Sequence, residues 1–129
     1  FDDKIDIHHI FPQKYCREND IDPKRCDCVV NKTALSAKTN RIIGGNAPDA
    51  YLGRLQKQFG IDSERMRDIL ASHGIDAIAL LNNDFTAFFD KREALLLQLV
   101  ETAMGKPVQR QTLVVEQEPE VTEYLEEEE

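Results

Sequence analysis

Apolar and polar residues alternate at the start of the chain, where Ile5 and Ile7 are separated by Asp6 and followed by His8-His9-Ile10. A period of two predicts a strand over residues 4–10, with His8 and His9 on opposite faces. Residues 11–27 contain Pro12, Asn19, Asp20 and Pro23 and read as a long loop with a helical turn. A second strand is predicted over 29–35. Ser36 then stands where an N-cap belongs, ahead of a short helix that carries Asn40 and ends at Gly44-Gly45. The first third of the chain is therefore strand, loop, strand, helix.

From Pro48, which suits a first helical turn, the period becomes helical. Tyr51, Leu52, Leu55 and Phe59 form one stripe. Asp62 or Ser63 caps a second helix, in which Met66, Ile69, Leu70 and His73 share a face before Gly74 stops it. A third and longest helix is predicted over about 84–104. Its apolar positions Phe85, Phe88, Phe89, Leu96, Leu99, Val100 and Ala103 recur at helical spacing, the Phe and Leu stripe is expected in the core, and Gly105 with Pro107 closes it. Residues 112–115 could add a strand, and the Glu-rich sequence beyond is expected to be disordered. The predicted class is α+β. Residues 1–46 form a small ββα core, 47–107 a mainly helical part of the same domain, and 108–129 a short strand and acidic tail.

Length and charge limit what such a chain does. At 129 residues it is most economically one domain. Phe1 in place of a start methionine suggests a piece of a longer protein. No apolar run reaches the ~20 residues of a membrane helix, and no charged-then-apolar leader is visible. Three cysteines in no regular framework fit a reducing cytoplasm. The net charge of −8 is unevenly spread. Residues 1–60 carry 10 Lys and Arg against 8 Asp and Glu, whereas 61–129 carry 6 against 16, eight of them in 116–129. The acidity lies in the tail, so the pI does not argue against contact with nucleic acid in the first half.

The chemistry lies in residues 8–52. A histidine pair, Asn31-Lys32, and Lys38-Thr39-Asn40-Arg41 offer an imidazole able to take a proton from water and donors for one divalent metal. Each residue also has a plainer reading. His8 and His9 could be one core and one surface residue, Asn31 a turn residue, and Asn40 a polar helix face. Lys32, Lys38 and Arg41 could be solvated. Cys26-Asp27-Cys28 has one intervening residue where zinc knuckles use two or more, and lacks a second pair. His73 reads as a packed, hydrogen-bonded histidine.

Taken together, His-His-Ile-Phe-Pro-Gln at 8–13, Asn31-Lys32-Thr33, Thr39-Asn40-Arg41-Ile42-Ile43-Gly44-Gly45 and Ala47-Pro48-Asp49-Ala50-Tyr51-Leu52 resemble the HNH, or His-Me finger, nuclease superfamily. Within it they look like the C-terminal domain of GmrSD-type, modification-dependent (type IV) restriction endonucleases and related phage-defence proteins. The resemblance covers about residues 4–107. It implies a ββα-metal core and a DNA endonuclease. His9 would be the general base and Asn31 would orient the backbone around it, the two forming the catalytic set. His8 and Asn40 would hold the metal, while Arg41, Lys32 and Lys38 would contact phosphate.

The implied cofactor is Mg²⁺ or Mn²⁺, with Ni²⁺, Co²⁺ and Zn²⁺ as further candidates because His8 stands where CRISPR HNH domains have Asp. The implied partners are DNA and an upstream nucleotide-hydrolysing or sensor domain or subunit absent from this chain; oligomerisation of the full-length protein is left open. The competing expectations are a non-catalytic module binding DNA or a partner, and a secreted HNH toxin.

Overall fold

The computed structural model describes residues 4–105. It is α+β, mostly helical, with a two-stranded antiparallel sheet. Strand β1 (Ile5–His9) pairs with β2 (Lys32–Ser36) in a register that sets His8 opposite Thr33 and His9 opposite Lys32. Two short helices, α1 (Gln13–Glu18) and α2 (Pro23–Cys26), occupy the stretch expected to be mainly loop. Asp22 caps α2 by accepting from the Lys24 amide, with Pro23 in the first turn, where its missing N–H costs nothing.

The second strand starts later than its apolar run suggests. Val29–Asn31 is a 3₁₀ turn, held by the Asn31 amide donating to the Cys28 carbonyl at 2.9 Å. Val30 and Asn31 are wholly buried there, so β propensity gives way to the enclosure of the asparagine. Ser36 caps α3 (Ala37–Ile43), its hydroxyl accepting from the Thr39 amide at 3.1 Å, and Gly44 ends it at φ +54°. Pro48 opens α4 (Pro48–Phe59), and Asp62 caps α5 (Ser63–Ser72). A helix without an advance signal, α6 (Ala77–Leu81), is capped by Asp76. Its five residues are too few to establish a period. Last comes α7 (Phe85–Met104), capped by Asp84 and ended by Gly105 at φ +75°.

One apolar cluster spans both parts of the chain, running from Ile10, Phe11, Cys16 and Val30 through Tyr51, Leu52 and Leu70 to Phe85, Phe88 and Phe89. Phe11, fully buried, lies edge-on to Phe85 at 5.1 Å between centroids and tilted against Phe88 at 5.0 Å. The first half of α7 therefore locks the loop that follows the histidine pair, in pairings worth ~0.5–1.5 kcal/mol each beyond area burial.

The second half of α7 departs from expectation. Leu97 is buried, whereas Leu99 is 57% exposed, Val100 and Ala103 are exposed, and Leu96 is partly buried. Among the described residues, the apolar core ends before the helix does. Phe59 is also exposed rather than core, with the Lys38 ammonium 5.2 Å above its ring. The predicted strand over 112–115 and the acidic tail lie outside the described residues. Among those described, no helix is long and apolar enough to cross a membrane.

Candidate functional site

The site is built around Asn31. Its side chain is completely enclosed. Oδ1 accepts from the Phe11 amide at 2.8 Å, and Nδ2 donates to the carbonyls of Phe11 at 3.0 Å and Cys26 at 2.8 Å. The Asn31 carbonyl also accepts from the Ile10 amide at 2.8 Å. Tyr51 adds a hydroxyl bond to the Ile10 carbonyl at 2.6 Å. One amide side chain and one phenol thus fix the two residues immediately after His9. Only a side chain with both donor and acceptor satisfies this pattern, which explains asparagine at 31.

His9 and His8 fall on opposite faces of the hairpin. His9 shares its face with Lys32, its register partner. There the Asp27 Oδ1 lies 3.1 Å from His9 Nε2 and 3.2 Å from Lys32 Nζ. Burial works to raise the Asp27 carboxyl, but the hydrogen bonds and charges of Lys32 and His9 outweigh it and hold the group below its usual value. Asp27 is therefore an anion that holds the imidazole by one nitrogen. Sequence reasoning did not single it out, because the pairing spans 18 residues and depends on α2 and the 3₁₀ turn. Lys32, expected at phosphate, has its ammonium on Asp27.

His8 lies opposite Thr33. Thr33 and Leu35 line an apolar cavity of about 180 Å³ together with Thr39 and Ile43 of α3. The face of His8 is thus the face covered by α3, the helix carrying Asn40. Both residues are half-buried, and neither side chain makes a hydrogen bond among the described residues. No buried side-chain nitrogen or oxygen among them lacks a partner, so the polar atoms of His8 and Asn40 reach solvent and remain open to a ligand. Arg41, beside Asn40, is exposed.

A metal there would draw on one imidazole and one amide oxygen. These are neutral donors suited to a divalent cation that keeps water and phosphate oxygens in its remaining positions. Among the described residues no three His, Cys, Asp or Glu side chains converge into a cage. The cysteines are free and buried in the core, Cys16 within side-chain hydrogen-bonding reach of Cys26, and burial pushes the Cys16 and Cys28 thiols up. They pack as small apolar residues.

Behind the site, Arg92 of α7 is 6% exposed. Its Nη1 donates to the Val30 carbonyl at 2.7 Å, and its Nε to the His73 carbonyl at 3.1 Å. The His73 Nδ1 is 2.8 Å from the Thr33 hydroxyl. His73 is thus the packed, hydrogen-bonded residue expected of it. Arg92 and His73 join the helical part to both the 3₁₀ turn and β2.

The chain is 28% identical over 118 residues to Uncharacterized protein MJ0686 of Methanocaldococcus jannaschii, a match covering 75% of this chain and 20% of the relative. It thus spans about a fifth of the length of the curated relative it matches. No family model matches the chain, and no solved structure gives a significant match.

Proposed function

We propose that this chain is a metal-dependent DNA endonuclease domain with an HNH-type ββα core, serving a larger restriction or phage-defence protein. The observation that carries this reading is the juxtaposition around one hairpin. β1 ends in His8-His9, an enclosed Asn31 ties down the turn that follows, and α3 leaves β2 directly with Asn40 on the side of His8. The resemblance noted in the sequence supplies the chemistry.

In this reading His9 takes the proton from the attacking water. With the other proton on Nε2 and donated to Asp27, Nδ1 keeps its lone pair for that transfer, and the anion stabilises the imidazolium that forms. Asn31 and Tyr51 hold the strand end so that the ring does not drift. Arg41 contacts phosphate oxygens with its guanidinium fork, joined by Lys38. His8 and Asn40 would hold the cation, which when bound supplies Lewis-acid stabilisation of the phosphate and the leaving oxygen. The upstream domain or subunit that senses modified DNA is part of the same proposal, as is action in the cytoplasm.

The test is nicking of supercoiled plasmid in the presence of Mg²⁺, Mn²⁺, Co²⁺ or Ni²⁺, with EDTA abolishing it. His9→Ala is expected to lower the rate by at least ~100-fold while the melting temperature and metal binding by calorimetry stay near wild type. His8→Ala should lose metal affinity. Wild-type cutting by the His9→Ala protein would remove His9 from its role, and no cutting with any of the four metals would sink the nuclease reading.

A further inference from the structure

The cations that bear on nucleic acid extend beyond the residues singled out in the sequence. Arg54 and Lys57 sit three residues apart, on one face of α4. With Arg41 and Ile42 of α3 and with Gln58 they line a shallow depression of about 500 Å³ that contains no acidic side chain. Lys38, seated over Phe59 at the end of α4, continues the same positive surface. Residues 37–60 carry four Lys and Arg against one acid, Asp49, whereas residues 61–105 carry four against eight. Asp49 lies in the first turn of α4, where its charge acts on Tyr15, more than one turn before Arg54 and two before Lys57. Residues 37–60, which include α3, α4 and Asn40, thus have the largest net positive balance of the described part, +3 against +1 for residues 4–36.

We infer that Arg41, Arg54 and Lys57 form a track for the sugar-phosphate backbone of duplex DNA, holding the strand that flanks the bond to be cut. The inference rests on the nuclease reading for its choice of polyanion. It adds α4 to the DNA-binding surface and gives the helical part a role beyond packing. Contacts of this kind position the duplex without reading its sequence. They also release counterions, so they leave a signature in the salt dependence of binding.

The experiment is fluorescence anisotropy of a short labelled DNA duplex with the full chain, between about 50 and 200 mM salt. The double variant Arg54→Gln/Lys57→Gln should bind roughly tenfold more weakly at low salt. The slope of log affinity against log salt should flatten by about two, one for each lost phosphate contact. The control is Arg65→Gln/Arg67→Gln on α5, which removes the same charge from residues that do not line the depression, and it should leave affinity and slope near wild type. Equal weakening by the two pairs would mean a general charge effect and overturn the track, as would no weakening by the first. Arg54→Lys/Lys57→Arg should retain binding, separating charge from any loss of fold. If binding depends on Arg54 and Lys57 but the wild-type chain cuts nothing with any metal, the track stands and the nuclease reading fails. If cleavage depends on His9 but binding ignores Arg54 and Lys57, the reverse holds.

Discussion

Asn31 illustrates how a residue can be legible in type and illegible in reason. Its spacing from the histidine pair marked it, but a sequence cannot reveal that its amide is enclosed and answers three backbone groups of Phe11 and Cys26. Asn31→Ala should therefore cost about 3 kcal/mol or more, since buried donors and acceptors left unpaired cost ~1–3 kcal/mol each. Asn31→Asp should also destabilise, because an acceptor-only side chain faces the two carbonyls. Urea midpoints at constant slope measure both. A loss under about 1 kcal/mol for either variant would mean that the turn holds itself. Asp27 was missed for the opposite reason. Nothing in its own neighbourhood announces it, and its link to His9 exists only once α2 and the 3₁₀ turn bring residue 27 back to the strand end.

At the scale of elements, capping chemistry was the most readable signal. Ser36, Asp62 and Gly105 sit where short-range hydrogen bonding and left-handed backbone demand them. These signals are local, so they survive without knowledge of the fold. Periodicity was readable only where a partner exists. The stripe through Leu99, Val100 and Ala103 has helical spacing, yet the face that packs at this level presents Leu97. Leu97→Ala should cost about 2–5 kcal/mol, whereas Leu99→Ala should stay within about 0.5 kcal/mol of wild type. Thermal melts of the two variants decide it, and similar losses would place the second half of α7 against something. The 3₁₀ turn at Val29–Asn31 was hidden because its two valines read as strand, and only the burial of Asn31 breaks the pattern.

At the scale of the whole molecule, the helical part meets β2 through a titratable group, His73, hydrogen-bonded to Thr33. Burial, and then the charge of Arg92, push the His73 imidazole below its ordinary value of 6.5. The folded state thus resists protonating it, while the unfolded chain does not. Stability from this source is complete above about pH 6.5 and is lost as the pH falls beneath that value toward the folded-state value. The melting temperature should drop between pH 7 and 5, and His73→Gln should flatten that part of the curve. An unchanged slope would show that His73 is not the coupled group. Asp27, held below the carboxylate norm by Lys32 and His9, acts in a separate window, losing its contribution only as the pH falls through its own lowered value.

Charge at this scale also divides the molecule, because residues 116–129 contain eight acids and no Lys or Arg. Removing them takes the formal net charge from −8 to 0. The apolar cluster among the described residues draws its buried members from Ile10 to Phe89, and truncation is expected to shift the melting temperature little. It should strengthen nonspecific DNA binding several-fold at low salt, with the difference closing as the Debye length shrinks toward ~8 Å at physiological ionic strength. Anisotropy across a salt series and a melt of the same truncated protein test both halves. A large fall in melting temperature would mean that the tail packs on the fold, and an affinity gain that persisted in high salt would mean that the acids mask the DNA surface by direct contact rather than by long-range repulsion.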